Sequence, residues 1–358
     1  MQLAFYAPMK PPDHPVPSGD RNIARALVAA LKDAGYGVQL ACRLRSRDGA
    51  GDAQRQQQII AEAEAEVARL TDAGRSAGWR GWVTYHNYYK APDLIGPPVA
   101  AALGIPYVQI ESTRAQKRLT GPWAPFAQAA EAATDHADVV FYFTERDAGT
   151  LRRDAPAGQT LIHLRPFLNR ATLPPQTAGD GPILSVGMMR EGDKQASYRI
   201  IAQTLALMPD EGWTIDIAGD GPARPQIEAM MRPFGGRVRF LGKLEEDALG
   251  HAYARAGLLF WPGVNEALGM VYLEAQAAGL AVVAQDRPGM REMLAPAPYP
   301  TVEEGPRGLC TMLQHYLKDA PLRLAAGKAA RDFVTRGHLL PRAADTLTQG
   351  LARLGITP

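Results

Sequence analysis

Along this 358-residue chain, short apolar runs alternate with segments of helical period, and they do so twice. The first succession has runs at 3–6, 38–42, 82–85, 107–110 and 139–143, with helical segments at 20–33 and 54–70 among them. The second has runs at 183–186, 214–218, 238–241, 258–261 and 281–284, separated by helical segments at 198–208, 224–232, 246–256 and 268–278. Alternation of this kind specifies an α/β protein with parallel sheets covered by helices on both faces. The length suits about two domains. We therefore expect two Rossmann-like domains facing a central cleft, one over 1–168 and one over 182–338. The proline-rich stretch RPFLNRATLPPQTAGDGP between them reads as an interdomain linker and hinge. A last helix near 342–354, in a segment 340–358, is expected to pack back on the first domain. Open α/β sheets bind ligands beyond the carboxyl ends of their strands, so the cleft is the expected active site.

Composition closes several other routes. Thirty-nine basic and 37 acidic residues leave a net charge of +2, which does not suit a nucleic-acid coat, and we expect no nucleic-acid partner. A hydrophobic fraction of 46% argues against disorder. Two cysteines, Cys42 and Cys310, supply neither a disulfide framework nor a zinc site. No window reaches 18 consecutive apolar residues, and the start, MQLAFYAPMKPP, lacks a basic segment before a long apolar run, so a cytoplasmic location is expected.

Several motifs fail on inspection. GDGP at 219–222 lacks the third glycine of a dinucleotide fingerprint, and GMMREGDKQAS at 187–197 breaks the phosphate-loop pattern at Asp193 and Gln195. No Asp-x-Asp, HExxH or GxSxG occurs, which weighs against a metal-anchored sugar nucleotide, a zinc hydrolase and a serine hydrolase.

The segment LLFWPGVNEALGMVYLEAQAAGLAVVA, 258–284, carries the chemistry. A strand ends near Trp261, a loop with Pro262, Gly263 and Asn265 follows, and a helix from about Leu268 ends at Gly279. The helix start would face the ligand edge of the sheet with unpaired N–H groups, an anion site suited to a diphosphate. Gly269, with Met270 next to it, would let that anion approach the backbone. Glu266 and Glu274 bracket the turn, roughly 10 Å apart at a helical rise of 1.5 Å per residue. A carboxylate can accept from the paired hydroxyls of a sugar or a ribose. A Glu274 that caps a neighbour and a solvated Glu266 form the other reading of the same residues.

Glu266-ALGMVYL-Glu274, followed by AQAAGLAVVA, resembles the Glu-(seven residues)-Glu signature of retaining glycosyltransferases of the GT-B fold, family 4. SVGMMREGDK, DIAGDGP and AGLAVVAQDRPGMRE fall in that family's order, and YAPMKPPDHPVPSGD and HADVVFYFT fit its first domain less closely. The resemblance implies a nucleoside-diphosphate sugar as donor, transfer to an acceptor hydroxyl with retention, and no metal or other cofactor. It implies that Glu274 holds the ribose and Glu266 the donor sugar. Arg190 and Lys194 would neutralise the diphosphate, Gly19 would bring backbone N–H to it, and Lys243 and Leu244 would face the base. Two fixed cations and a helix start can stabilise a leaving diphosphate without a metal.

The acceptor side departs from the family. Glu111, in PYVQIESTR, stands where many relatives carry a histidine, and His86, in TYHNYY, matches a second frequent histidine position. A carboxylate there could serve as a base. Glu111 paired with Arg114 is the alternative. In RAQKRLTGPWAPF, 114–126, cations beside Trp123 and Phe126 would suit an anionic membrane surface and a lipid-linked acceptor, while the acceptor class itself stays open between glycolipid, polysaccharide and small molecule. A solvated loop with a core-anchoring tryptophan is the other reading. Rival functions are a sugar-nucleotide epimerase on the same fold and a catalytically weak sugar-nucleotide-binding protein. A nicotinamide dehydrogenase is disfavoured by the missing glycine fingerprint.

Overall fold

The computed structural model describes residues 1–16, 18–210 and 212–358, so Pro17, within the first proline-rich loop, and Glu211 lie outside the described residues. The chain divides into two compact units, Met1–Arg165 with Leu340–Pro358, and Pro166–Leu339.

Unit 1 runs β1 (Gln2–Tyr6), α1 (Gly19–Asp33), β2 (Gly37–Leu40), α2 (Ala53–Ala77), β3 (Trp79–Asn87), α3 (Gly96–Leu103), β4 (Tyr107–Ser112), α4 (Ala124–Asp135), β5 (Val139–Tyr142), α5 (Glu145–Asp154) and β6 (Thr160–His163). All its strand pairings are parallel, in the order β2-β1-β3-β4-β5-β6. Local chemistry fixes the helix ends. Ser18, Asp52 and Thr144 cap the starts of α1, α2 and α5 by accepting from backbone N–H groups, and left-handed Gly78 and Gly104 end α2 and α3.

Unit 2 runs β7 (Ile183–Val186), α6 (Asp193–Leu205), β8 (Ile215–Ala218), α7 (Arg224–Met231), β9 (Val238–Gly242), α8 (Glu246–Arg255), β10 (Leu258–Phe260), α9 (Met270–Ala277), β11 (Ala281–Val283), α10 (Gly305–Lys318) and α11 (Ala320–Gly337). Its five parallel strands are ordered β11-β10-β7-β8-β9. Every residue of β8, β10 and β11 is buried, as expected for strands covered on both faces. The final helix, α12 (Leu340–Ala352), packs on α1 of unit 1, and Tyr36 Oη–H donates to the Ile356 carbonyl at 3.1 Å just beyond it.

The fold differs from the sequence reading in places. The proline-rich stretch is not a free linker: from Pro166 onward it belongs to unit 2. Thr177 N–H donates to Ala278 at 2.9 Å and its hydroxyl to the Ala256 carbonyl at 2.7 Å, so the segment lies pinned across α8 and α9. Strand β6 and helices α10 and α11 carried no clear signal, and α2 continues to Ala77 rather than stopping near 70.

In both sheets the strand order reverses once, between β1 and β3 in unit 1 and between β7 and β10 in unit 2. Ligand crevices of open α/β sheets lie beyond the carboxyl ends of the strands at such a reversal. The residues after β1, β3, β7 and β10 therefore border these crevices.

Candidate active site

In unit 2, β7 runs into 187–192 and β10 into 261–268. Backbone packs on backbone here: Gly187 N–H donates to Ala218 and Met189 N–H to Asp220. A Cβ on Gly219 would fall 1.9 Å from the Gly187 carbonyl oxygen, and Gly219 and Gly221 hold φ of 148° and 149°. The glycines of GDGP thus permit a close approach of two loops.

Helix α6 begins after Gly192, whose φ is 80° and which offers no side-chain cap. Its first turn carries Lys194, whose ammonium pairs with Glu266. The Trp261 indole N–H donates to the same Glu266 Oε1 at 2.9 Å, and Lys194 Nζ lies 5.2 Å from the Trp261 ring centroid. Side-chain exposure is 10% for Glu266 and 21% for Lys194, so the pair is largely desolvated yet reachable from one side. The loop between them is tied to α6 at two points. Val264 N–H donates to Ser197 Oγ at 3.1 Å, and Asn265 Nδ2–H to Asp193 Oδ1 at 3.0 Å, with Asn265 left-handed at φ 47°. Arg190 is exposed, and its side chain makes no hydrogen bond or ion pair among the described residues.

Helix α9 begins at Met270, two residues later than expected, because 264–268 form turns and Gly269 takes the cap position without a side-chain bond. Gly269 answers to packing as well as to ligand approach: a Cβ there would lie 2.5 Å from the Tyr272 ring. Tyr272 Oη–H in turn donates to the Trp261 carbonyl at 2.9 Å and holds the main chain that carries that indole. Glu274, half-buried on α9, accepts from Tyr253 Oη–H of α8 at 2.7 Å. Burial pushes the Glu274 carboxyl up, Glu246 adds to this, and the Tyr253 bond opposes it. The two glutamates therefore have separate partners. Lys243 is exposed and paired with Glu245 at 2.7 Å, and Leu244 packs against the unit 2 core.

In unit 1, His86 and Glu111 stand at the carboxyl ends of β3 and β4, both left-handed at φ of 66° and 58°. Non-glycine residues pay strain for that conformation, and such residues concentrate at functional sites. His86 Nδ1 lies 2.9 Å from Asp20 Oδ1 and 4.0 Å from Glu111 Oε2. Burial works against a charged imidazole, but Glu111, Asp20 and Asp147 outweigh it and raise the His86 pKa. Burial raises the Glu111 carboxyl, His86 and the Tyr85 hydroxyl oppose this, and Asp20 and Asp147 add to it. The pairing of Glu111 with Arg114 does not form. Arg114 instead holds Glu131 and Asp135 at 2.7 and 2.6 Å, because α4 presents both carboxylates to it. Gly19 is the first residue of α1, and a Cβ there would meet nothing within 4 Å. Sequence reasoning missed Asp20, which looks like an ordinary first-turn acid until the fold brings it to His86.

The half-buried Trp123 donates its indole N–H to the Asp48 carbonyl at 3.3 Å. Arg118 and Lys90 each lie 5.2–5.7 Å from the ring centroids of Tyr89 and Trp123. Among the described residues, no group of three or more His, Cys, Asp or Glu side chains could hold a metal ion, and no helix is long and apolar enough to cross a membrane.

Residues 181–319 match the family model described as "Glycosyl transferases group 1". Within the curated proteins, the chain is 30% identical to the sulfoquinovosyl transferase SQD2 of Arabidopsis thaliana over 38% of its length, and that match spans only 27% of the relative. A sucrose-phosphate synthase from Thermosynechococcus elongatus superposes at TM-score 0.72 with 18% identity, covering 99% of both chains. An Anabaena protein, HepE, solved with UDP and glucose superposes at 0.71 with 14% identity, over 99% of this chain and all of that one. The fold is thus that of the GT-B glycosyltransferases, two parallel-sheet Rossmann-like domains.

Proposed function

We propose that this chain is a retaining glycosyltransferase of family 4, transferring a sugar from a nucleoside diphosphate to an acceptor hydroxyl without a metal. One observation carries the reading. At the strand-order reversal of unit 2, Lys194, Glu266 and Trp261 form one bonded set, Arg190 on the loop after β7 is unengaged, and no side chain caps the starts of α6 and α9. Such a set can exchange partners. An arriving diphosphate takes Lys194 and Arg190, and Glu266 is released to the hydroxyls of the donor sugar. Glu274 would give up or share its Tyr253 bond to hold the ribose, with Gly269, Met270, Lys243 and Leu244 lining the nucleotide. As the glycosidic bond breaks, charge grows on the diphosphate. The two cations stabilise it there, while the acceptor oxygen attacks from the leaving-group face and its proton passes to the departing phosphate. The match over 181–319 and the UDP-bound neighbour support this donor chemistry.

On the acceptor side, His86 and Glu111 would orient the incoming hydroxyl, with Asp20 fixing the imidazole. The Lys90, Arg118, Tyr89 and Trp123 cluster would rest on an anionic membrane when the acceptor is lipid-linked. Co-sedimentation with anionic vesicles tests that contact, and no binding in low salt refutes it. For the reaction itself, the product's anomeric configuration by NMR is decisive. Retention relative to the donor, unaffected by EDTA, is expected, and inversion refutes the proposed mechanism.

A further inference from the structure

The loop after β1 gathers positive charge that the donor chemistry does not use. Ser46 N–H donates to the Pro8 carbonyl at 3.1 Å and Arg45 Nε–H to Met9 at 3.1 Å, so 45–47 lie alongside 8–10. Lys10 Nζ donates back to the Val16 carbonyl at 3.3 Å. From the first turn of α1, Arg21 Nη1 donates to His14 at 2.9 Å on the same loop. Each of these bonds goes to a main-chain carbonyl. None of Lys10, Arg21, Arg45 and Arg47 has a carboxylate partner among the described residues. The carboxylates nearby are already taken: Asp13 by Arg43 at 2.7 Å and Asp20 by His86 at 2.9 Å. Arg21 Nε is also buried without any hydrogen-bond partner. Lys10 records the crowding, since burial and then Arg45, Arg21 and Arg47 hold its ammonium below the ordinary value, with Asp20 opposing. Lys10, Arg21 and Arg45 are only half-buried and Arg47 is exposed, so the cluster is open to a ligand.

From this geometry we infer that Lys10, Arg21, Arg45 and Arg47 bind a phosphate monoester carried by the acceptor. Four neighbouring cations, none bonded to a carboxylate, repel one another, and a dianion relieves that repulsion at once. Guanidinium forks match phosphate oxygens in pairs, and the start of the 15-residue α1 adds its dipole. The site lies at the carboxyl ends of β1 and β2, beside the strand-order reversal of unit 1. Only the naming of the ligand as an acceptor rests on the transferase reading.

The test is calorimetry on the full chain with glucose 6-phosphate, glucose and, in a separate arm, UDP. Glucose 6-phosphate should bind and glucose should not. Affinity for the phosphate ester should fall at least about tenfold in the Lys10→Gln/Arg45→Gln variant, the loss of one to two charge-assisted bonds. Because Arg45 also braces the loop, Arg47→Gln is the second variant. Its side chain is exposed, and the substitution should weaken binding about threefold or more with an unchanged melting temperature. UDP affinity should hold in every variant. Equal binding of glucose, unchanged affinity in both variants, or a matching loss of UDP binding would overturn the inference, the last by assigning the cluster to the donor. A wild-type chain that binds glucose 6-phosphate but not UDP would leave this site standing and remove the donor reading instead.

Discussion

Replacing Lys194 by methionine isolates the interaction on which the donor chemistry turns. Methionine keeps much of the stem that lies against Trp261 and removes only the charge facing Glu266. Two unit charges about 3 Å apart attract by about 5 kcal/mol at an effective dielectric of ~20. Desolvating both and fixing the lysine offsets most of that, so the pair adds little net stability. Truncating one partner is another matter, because it strands the other charge, at a cost of about 3–5 kcal/mol in a full interior. Here Lys194 keeps 21% exposure and Glu266 10%, which lowers the figure. We expect Lys194→Met to destabilise unit 2 by about 2 kcal/mol, leaving Glu266 with the Trp261 N–H alone. Glu266→Gln should cost about 1 kcal/mol, because the lysine can turn to solvent and glutamine still accepts from Trp261. Urea unfolding of both single variants and the double variant, followed by tryptophan fluorescence, gives the coupling directly. About 1 kcal/mol or more is expected. Coupling below about 0.3 kcal/mol, within the additivity of independent sites, would show that the two charges do not share one site and would refute the exchange of partners.

Three further outcomes follow from particular residues. Gly19→Ala should not lower the melting temperature, since its Cβ meets nothing within 4 Å, and a clear fall in thermal melts would contradict that open space. Gly219→Ala should destabilise unit 2 by about 3 kcal/mol or more, because the new Cβ would fall 1.9 Å from the Gly187 oxygen at a backbone angle that favours glycine. A loss under about 1 kcal/mol in urea unfolding would contradict the close approach. His86 is raised in the folded chain, so its stabilisation is complete below its unfolded pKa of about 6.5 and is lost as pH rises through the folded value. Asp20, lowered, loses its contribution as pH falls through its folded value, below the ordinary carboxylate range. His86→Gln should therefore flatten the stability profile above pH 6.5 measured by thermal melts, and an unaltered profile would refute the Asp20–His86 pairing.

The sequence made the alternation of strands and helices legible because strands buried on both faces must be nearly all apolar, as β8, β10 and β11 are. Helices α10 and α11 lay outside that rhythm. They follow the last strand, so no next strand marked them off. The proline-rich stretch at 166–182 misled for a related reason: proline and missing periodicity signal irregular chain, but not whether that chain packs, and Thr177 packs through two bonds to main-chain carbonyls. Around the site, the glutamate spacing drew attention to Glu266 and Glu274, but their partners come from elsewhere in the chain. Lys194 is 72 residues from Glu266, Tyr253 is 21 from Glu274 and Asp20 is 66 from His86. Only the sheet orders bring those pairs together. GDGP looked like an incomplete nucleotide motif, whereas its glycines answer to the neighbouring backbone.

The proposed donor site of unit 2 binds its nucleotide sugar without a metal, and calorimetric titration with UDP, GDP and ADP in EDTA decides this. One nucleoside diphosphate should bind, with affinity falling about tenfold or more in Lys194→Met and in Glu274→Ala. Binding of none of the three, or equal affinity in both variants and the wild type, would refute such a site.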